Sequence, residues 1–379
     1  MYTNAKIDSY RKVLLVGGGT GGHFYPLIAL AEEFNTHPER PELYYAGPDE
    51  YDAEALRNEG IHFIRISSGK QRRYASVLNF LDFFRVIFGF FTALIKLYIL
   101  YPDVVVSKGG YTSVPVVLAA GFFRIPIIVH ESDSVVGRAN KLGLRFAKHV
   151  VTSYEGIVLP HTKAQQYLLG VPLRAVLRGG PHTDAIQKLG IDPNRPVILV
   201  LGGSQGALRI NELILSSLDE LLPEFTIIHQ TGTAHYENCL RSADVLITNP
   251  ELRAHYKPFA FFDGALLNDA YFVTSLVISR AGSTSIYEIS SHGKPSIIIP
   301  ISEHISHDQR SNAYAYARYK ASIVMEEKNL TEHLLLAEIN RIMQNGDVYT
   351  EMIEGARAFA KPNATAEIVS LITQVSKQH

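Results

Sequence analysis

The chain has 379 residues, which at about 150 residues per domain predicts two domains. Hydrophobic residues make up 46% and charged residues 19%, a composition that excludes an intrinsically disordered chain and allows a large core. Lysine and arginine number 36 against 37 acidic residues, so no overall positive charge favours binding to nucleic acid, and we expect no such partner. The single cysteine, Cys239, excludes an internal disulfide and a cysteine zinc cluster.

Short β-branched runs alternate with helical patterns along both halves of the chain, which predicts an α/β protein built from βαβ units with parallel sheets. The first residues, MYTNAKIDSYRK, lack the apolar stretch of a signal peptide, so we expect the chain to stay in the cytoplasm. The predicted strands of the first half are residues 13–16, 43–46, 63–66, 104–107, 127–130 and 150–152. After a glycine- and proline-containing stretch, the predicted strands are residues 197–201, 226–230, 276–279 and 296–300.

A very apolar segment covers residues 74–101, with Asp82, Arg85 and Lys96 as its only charges. Its longest uncharged interior run, residues 86–95, is shorter than the roughly 18–20 residues that a spanning helix needs. We predict a helix that packs one face on its domain and offers the rest to a bilayer surface. A helix inserted in the bilayer and a buried core helix are the alternatives.

Two strands run directly into glycine-rich turns that precede helices: GGGTGGH at residues 17–23 and GGSQGA at residues 202–207. Such turns expose backbone N–H groups at the positive end of a helix, which suits phosphate binding. The first turn also contains the G-x-G-x-x-G pattern of dinucleotide sites, but no acidic residue ends the next strand, so this alternative is weak. His23 follows the glycines, where it is either a general base or a histidine that bonds locally at the helix start. The second turn is either an anion site or an ordinary tight turn.

A third strand-to-helix turn, SRAGSTSIYE, covers residues 279–288 and places Glu288 one to two turns into a helix. A carboxylate there could bind the two hydroxyls of a ribose, although a solvated glutamate is the alternative. His304, His307 and Asp308 do not have the spacing of a zinc motif, and we predict no metal site. Tyr314, Tyr316 and Tyr319 have helical or near-helical spacing and are predicted to serve packing, with stacking on a ligand as the alternative.

Eight motifs in order give the chain a resemblance to a known family. They are GGGTGGHFYP (17–26), SSGKQRRY (67–74), PDVVVSKGGYTSVP (102–115), HESDSVVGRANK (130–141), GVPLR (170–174), GGSQGA (202–207), SRAGSTSIYE (279–288) and HDQRSNA (307–313). Together they resemble the MurG family of peptidoglycan glycosyltransferases. The resemblance extends from about residue 12 to the end of the chain.

The resemblance implies a GT-B fold, in which two Rossmann-like, doubly wound domains face each other across a cleft. The acceptor-binding and membrane-associating domain would cover residues 1–172 with a C-terminal helix of about 362–379, and the UDP-N-acetylglucosamine domain residues 173–361. The implied reaction is the inverting, metal-independent transfer of N-acetylglucosamine to the C4 hydroxyl of the muramoyl sugar of undecaprenyl-linked lipid I, giving lipid II. No cofactor is implied.

The resemblance also implies roles for individual residues. His23 would be the general base, with His130 and Glu131 as further catalytic candidates beside the acceptor. The implied donor contacts are Thr20, Gly21, Gly22, Asp133, Arg174, Ser204, Phe261, Phe262, Ser283, Thr284, Ser285, Glu288 and Gln309. The implied acceptor contacts are Gly18, Gly19, Gly109, Gly110 and Tyr111. The implied membrane contacts are Lys70, Arg72, Arg73, Phe83, Phe84, Phe88 and Phe91.

Two positions depart from the family pattern. Asp133 stands where many members have asparagine, and an ionised carboxylate cannot donate a hydrogen bond to a sugar. Val171 replaces a small polar residue in GVPLR, while Arg174 is retained.

The implied partners are UDP-N-acetylglucosamine, lipid I, anionic lipids and other cell-wall synthesis proteins, at the cytoplasmic face of the bacterial membrane. Two alternatives remain. One is another UDP-sugar enzyme of this fold, such as a glycolipid glycosyltransferase or a UDP-N-acetylglucosamine 2-epimerase. The other is a non-catalytic nucleotide-sugar-binding protein.

Overall fold

The protein divides into two compact units, each built around one parallel sheet. The computed structural model describes residues 11–69, 77–179, 184–203, 206–301 and 307–378, and of residues 77–83, 307 and 308 it describes the backbone alone. The first unit comprises Met1–Ser132, Val136–Arg174 and Asn363–His379. The second comprises Asp133–Val135 and Ala175–Pro362. Lys70, Arg72, Arg73, Ser204 and His304 lie outside the described residues.

The first unit contains a seven-stranded parallel sheet in the order β3-β2-β1-β4-β5-β6-β7. Its strands are β1 (Lys12–Gly17), β2 (Glu42–Gly47), β3 (His62–Arg65), β4 (Val104–Gly109), β5 (Ile127–Glu131), β6 (His149–Thr152) and β7 (Gln165–Leu168). The helices between them are α1 (Gly21–Asn35), α2 (Ala53–Asn58), α3 (Val77–Leu100), α4 (Val114–Phe123) and α5 (Arg138–Gly143). The central strands β4 and β5 are buried along their whole length, as expected for parallel strands covered by helices on both faces.

The second unit repeats this plan with the six-stranded order β10-β9-β8-β11-β12-β13. Its strands are β8 (Val197–Leu201), β9 (Thr226–Gln230), β10 (Tyr256–Phe259), β11 (Leu276–Ser279), β12 (Ser296–Ile298) and β13 (Ser322–Val324). Its helices are α6 (Ala185–Leu189), α7 (Leu208–Ser216), α8 (Leu218–Leu221), α9 (Tyr236–Leu246), α10 (Gly264–Val273), α11 (Ser283–Ser291), α12 (His307–Ala317), α13 (Glu332–Met343) and α14 (Gly346–Phe359). Tyr316 and Tyr319 pack their rings against Phe359, as predicted. Tyr314 is instead 43% exposed and donates its hydroxyl to Glu326 at 2.9 Å, so the packing role predicted for it is wrong.

Both sheets reverse their strand order once, between β1 and β4 in the first unit and between β8 and β11 in the second. In doubly wound sheets, ligands bind beyond the carboxyl ends of the strands at such a reversal. The glycine-rich turns follow β1 and β8, and the SRAGSTSIYE turn follows β11. The fold therefore places the predicted glycine-rich turns and the SRAGSTSIYE turn at the strand-order reversal of their unit.

Three strands were not predicted from the sequence: β7, β10 and β13. Each lies at an edge of its sheet, where one side of the strand has no neighbour to cover it. The sequence of β7 is QQYL, β10 contains Pro258, and β13 has three residues. Edge strands tolerate polar residues and proline, so they lack the apolar pattern that reveals a central strand.

Helix α3 buries one of its sides in the first unit and exposes an apolar side to solvent. Gly89, Ala93 and Leu97, spaced four residues apart, form the buried side, and a Cβ at Gly89 would clash with the carbonyl oxygen of Ser67. The exposed side, called here the apolar face of α3, consists of Phe84, Ile87, Phe88, Phe91, Ile95, Tyr98 and Ile99. Phe88 is 67% and Ile99 74% exposed, so the alternative of a buried core helix is wrong. None of the described helices combines the length and hydrophobicity needed to cross a membrane.

The C-terminal helix α15 (Ala364–Ser376) belongs to the first unit. Ile368, Ile372 and Val375 join the core formed by β1, α1 and β4. Thr365 anchors the start of the helix, since its hydroxyl accepts a hydrogen bond from the Leu173 backbone N–H at 3.2 Å.

A buried polar chain connects three elements of the second unit. The Nε2 atom of His229 lies 3.1 Å from Oδ1 of Asn211, and the Asn211 amide donates to the Thr231 carbonyl at 2.9 Å. Because Oδ1 can only accept, Nε2 carries the proton and Nδ1 accepts from the Tyr256 hydroxyl at 3.0 Å. Burial lowers the pKa of His229 to about 3, so the ring stays neutral in the folded protein.

We expect His229 to make the second unit sensitive to acid. Its pKa is about 3 when folded and about 6.5 when unfolded, so between these values the unfolded state binds the extra proton. Stability therefore falls as the pH drops, by about 2 kcal/mol between pH 7 and pH 5. Hydrogen exchange of the β8 and β9 amides in urea should show this loss in the wild type. The loss should be about 2 kcal/mol smaller in His229→Gln, and equal losses in both proteins would contradict the assignment.

Candidate functional site

In the first unit, the turns after β1 and β4 meet through their backbones. Gly19, Gly109 and Gly110 have φ values of +82°, +86° and +78°, a region that favours glycine. A Cβ at Gly110 would lie 2.9 Å from the carbonyl oxygen of Gly18. The Tyr111 ring covers the first turn, since a Cβ at Gly19 would lie 2.6 Å from its Cε1 atom. The five predicted acceptor residues therefore lie together.

His23 stands in the first turn of α1, beside this pair of glycine turns. Its ring lies 3.7 Å from the position of a Cβ at Gly110, and its side chain is half-buried. Nδ1 is 2.8 Å from the Thr20 hydroxyl. When Nδ1–H donates to that hydroxyl, Nε2 becomes the basic nitrogen of the ring. The backbone N–H of His23 donates to the Thr20 carbonyl at 3.1 Å, which fixes the turn.

His130 and Glu131 end β5 and are both buried. His130 donates through Nε2 to the Gly170 carbonyl at 2.9 Å, and burial together with the nearby Lys108 charge lowers its pKa well below the usual value. Glu131 accepts at Oε2 from the Gly137 backbone N–H and from the Asn140 amide, both at 2.9 Å. These bonds orient both side chains within the protein.

In the second unit, the turn after β8 is held close to β9. Gly203 and Gly206 have φ values of +81° and +77°, and a Cβ at Gly206 would clash with the carbonyl oxygen of Thr231. The same carbonyl accepts the Asn211 amide of the buried polar chain. Ser204, predicted to contact the donor, lies outside the described residues.

The carboxylate of Asp133 lies at the start of α11. Asp133 Oδ1 accepts from the Ser283 hydroxyl and from the Asn312 amide, both at 2.8 Å, and the Ser134 backbone N–H donates to Asn312 at 2.7 Å. Thr284 and Ser285 follow in the first helical turn and are half-buried. A negative charge is favourable at this end of a helix, and the Asp133 carboxylate supplies one there. Asp133 thus lies with the predicted donor residue Ser283.

Four further predicted donor residues of the second unit precede α10 or lie in α11 and α12, whereas Thr20, Gly21 and Gly22 lie between β1 and the first turn of α1 in the first unit. Phe261 is 48% exposed, whereas Phe262 is buried and packs on Phe259 with ring centroids 4.8 Å apart. The half-buried Glu288 accepts at Oε2 from the Tyr271 hydroxyl at 3.3 Å. Gln309 accepts at Oε1 from the Ile301 backbone N–H at 3.2 Å, which connects α12 to the end of β12.

Arg174, a predicted donor contact, belongs to the first unit. Its guanidinium stacks over the ring of Tyr25, 4.9 Å from the ring centroid, and Tyr25 follows His23 by two residues. The Tyr25 hydroxyl donates to Asp52 at 3.3 Å. A place for Arg174 over the nucleotide therefore stays a prediction.

Among the described side chains, no group of three or more His, Cys, Asp or Glu residues could hold a metal ion. The side chains of His307 and Asp308 are outside this description.

Comparison with known proteins identifies a known domain type in each unit. Residues 13–152 match the N-terminal domain and residues 197–368 the C-terminal domain of glycosyltransferase family 28. A relative from Clostridium botulinum (strain Langeland) is 35% identical over 370 residues, covering 97% of this chain and 100% of its own. It is named UDP-N-acetylglucosamine--N-acetylmuramyl-(pentapeptide) pyrophosphoryl-undecaprenol N-acetylglucosamine transferase. The chain belongs to the MurG family.

Further comparisons agree with membership of the MurG family. A Bacillus cereus (strain ATCC 14579) transferase of the same name, numbered 2, is 33% identical, covering 97% of this chain and 99% of its own. The crystal structure of Acinetobacter baumannii MurG superposes with a TM-score of 0.74 at 24% identity, covering 96% of this chain and 99% of that one. A Listeria monocytogenes protein described as a UDP-N-acetylglucosamine 2-epimerase shares the fold at a TM-score of 0.69 and 12% identity. The fold is GT-B, with two Rossmann-like domains.

Several residues of the site were missed by the sequence analysis: Lys108, Asn140, Tyr271 and Asn312. Asn140 and Asn312 stand inside quoted motifs, so their position in those motifs was an available signal. The pairing of Tyr271 with Glu288 depends on how α10 packs against α11, and no local pattern shows it.

Gly110→Ala tests the contact between the two glycine turns of this MurG-family chain. Both Gly110 and Gly156 have positive φ, at +78° and +70°, but only a Cβ at Gly110 meets another group within 4 Å. We expect Gly156→Ala to lower the free energy of unfolding by about 1 kcal/mol, the cost of the backbone conformation alone. Gly110→Ala should cost about 1–3 kcal/mol more, because the Gly18 backbone must move and because Gly110, with ψ of 161°, has a conformation that is almost restricted to glycine. Equal losses in denaturant unfolding would show that the turns tolerate a methyl group.

Proposed function

We propose that this chain transfers N-acetylglucosamine from UDP-N-acetylglucosamine to the C4 hydroxyl of the muramoyl sugar of lipid I, giving lipid II in peptidoglycan synthesis. The observation that carries the proposal is the 35% identity to a transferase of that name over 97% of this chain and all of the relative. Because the match covers both units, it includes the sites at both strand-order reversals.

The second unit binds the donor in this proposal. The diphosphate lies against the turn after β8, with Ser204, and against the start of α11, with Ser283, Thr284 and Ser285. Backbone N–H groups at a helix start favour an anion there. The ribose hydroxyls bind Glu288, the uracil lies against Phe261 and the Phe262 backbone, and Gln309 binds the sugar. Exposure of Phe261 and half-burial of Glu288 support these roles, since both can reach a ligand.

The first unit binds the acceptor and supplies the base. The acceptor lies at the paired glycine turns, beside His23. Nε2 of His23 takes the proton of the C4 hydroxyl as its oxygen attacks C1 of the donor sugar. The C1–oxygen bond to UDP breaks, and the electron pair leaves with the diphosphate. His130 and Glu131 shape the acceptor side, since their own bonds are to the protein.

The proposed reaction is a single displacement at C1, which determines the configuration of the product and where negative charge develops. One attack from the side opposite the leaving group inverts the configuration at C1. Negative charge grows on the leaving UDP, and we propose that the start of α11 and the N–H groups of the turn after β8 stabilise it without a divalent cation.

UDP release measures the proposed reaction directly. Purified protein should release UDP from UDP-N-acetylglucosamine only when a soluble lipid I analogue is present, with the same rate in EDTA. The new glycosidic bond should be β, as shown by the proton coupling at C1 in the product. Release without the analogue would favour an epimerase or hydrolase, and loss of activity in EDTA would contradict metal independence.

Replacement of His23 tests the base. We expect His23→Ala to lower kcat by 10²–10⁴-fold, the usual contribution of a general base, while KM for the donor changes little. The control is His37→Ala, which removes an exposed histidine just beyond the other end of α1. A His23→Ala enzyme with at least a tenth of the wild-type kcat would assign the base to another group.

We also propose that the apolar face of α3 docks on the cytoplasmic leaflet of the bacterial membrane, where the acceptor is anchored. Exposed Phe122 on the neighbouring α4 adds to the apolar surface. Exposed Arg85, Lys96 and Arg124 supply positive charge near it, which favours anionic headgroups. Large apolar surfaces of this kind are uncommon on proteins that contact water alone. Lys70, Arg72, Arg73 and Phe83 are proposed contacts from the sequence.

Vesicle binding tests this surface. We expect Phe88→Ser with Phe91→Ser to weaken binding to vesicles of anionic phospholipid by at least tenfold, since each phenylalanine loses about 1–2 kcal/mol of burial. The control is Val158→Ser, which removes an exposed apolar side chain at a loop of the same unit. UDP release with the soluble analogue should stay unchanged in both proteins. Equal vesicle binding by the double variant and the control would exclude α3 as the docking surface.

A further inference from the structure

Tyr271 is buried between two helices of the donor unit. Its side chain is fully shielded from solvent near the end of α10, and its ring stacks on His292 with centroids 4.6 Å apart and planes 19° from parallel. Its hydroxyl donates to Oε2 of Glu288 at 3.3 Å. Burial, and then the Glu288 charge, raise the pKa of Tyr271 well above its usual value, so the hydroxyl keeps its proton and remains a donor.

Glu288 is fixed through its carboxylate and through its backbone carbonyl. Its carboxylate accepts from Tyr271, while its backbone carbonyl lies 2.8 Å from Nδ1 of His292, the residue whose ring covers Tyr271. His292 also lies 3.0 Å from Oδ1 of Asn268, which is on α10 with Tyr271. The position of the Glu288 carboxylate on α11 is therefore set by α10.

Helix α10 also carries the proposed base-binding segment at its other end. Phe261 and Phe262 precede it directly, and the Asp263 side chain caps its first turn by accepting from the Leu266 N–H at 2.8 Å. One helix thus connects the residues proposed to meet uracil with the residue that orients Glu288. Helix α10 therefore sets the distance between the residues proposed to contact the base and the carboxylate proposed to contact the ribose.

We propose that Tyr271 is a positioning residue that sets the enzyme's preference for a ribonucleotide donor over its 2′-deoxy form. This rests on the proposed function, in which Glu288 binds the ribose hydroxyls. A carboxylate has two oxygens and about four acceptor positions. Tyr271 donates to one of them and fixes the rotamer, so that the carboxylate is oriented towards the ribose. Without the hydroxyl, Glu288 adopts other rotamers and distinguishes the 2′-hydroxyl less well.

Tyr271→Phe removes this one hydroxyl, and Tyr349→Phe is the matched control. The Tyr349 hydroxyl donates to the Ser275 carbonyl at 3.0 Å, so the control also loses one tyrosine hydrogen bond in the same unit. We expect Tyr271→Phe to raise KM for UDP-N-acetylglucosamine about tenfold with kcat within twofold. The ratio of kcat/KM for this donor to that for 2′-deoxy-UDP-N-acetylglucosamine should fall about tenfold. The control should keep both values within twofold of the wild type.

If the ratio of kcat/KM between the two donors is unchanged in Tyr271→Phe, Tyr271 is a packing residue and the proposal is overturned. A loss confined to kcat would overturn it as well. Calorimetric binding of UDP and 2′-deoxy-UDP without acceptor decides the Tyr271 proposal even if the wild type proves not to transfer sugar.

Discussion

The reversal of strand order in each sheet is the constraint on which the sites depend. On either side of it, the connections leave neighbouring strands in opposite directions, so that a crevice opens at their carboxyl ends. Glycine fills the turns there because the backbones approach too closely for a side chain, as between Gly110 and Gly18. The same constraint therefore produces a close glycine turn at the reversal in both units, with different residues around it. In the proposed function, the chemistry comes from the residues that each unit adds, His23 in the first and Glu288 in the second.

The sequence predicted the central strands and the glycine turns well, because both leave local signals. Buried parallel strands are continuous apolar runs, and tight turns need glycine. The edge strands β7, β10 and β13 were missed, since solvent on one side removes the apolar pattern. Partners across the tertiary structure were also not predictable: Asp133 and Asn312 are 179 residues apart in the chain, and Tyr271 and Glu288 lie on two separate helices. The stacking of Arg174 over Tyr25 is a further contact that the motif did not indicate.

The apolar face of α3 reverses the usual arrangement of a surface helix. Small residues, Gly89 and Ala93, occupy the buried side and allow close packing, while phenylalanine and isoleucine occupy the exposed side. Burial of the large side chains in the protein core would have stabilised the fold by roughly 1.5–3 kcal/mol each. Their exposure does not stabilise the unit, and it fits the proposed docking of this face on a membrane.

The return of α15 to the first unit affects how the chain folds during synthesis. The ribosome completes residues 175–362, the main part of the second unit, before it reaches the helix that completes the core of the first. The second unit can therefore reach its final packing while the first still lacks Ile368, Ile372 and Val375. Until then, the apolar surface that these residues cover on β1, α1 and β4 is open to chaperones and proteases.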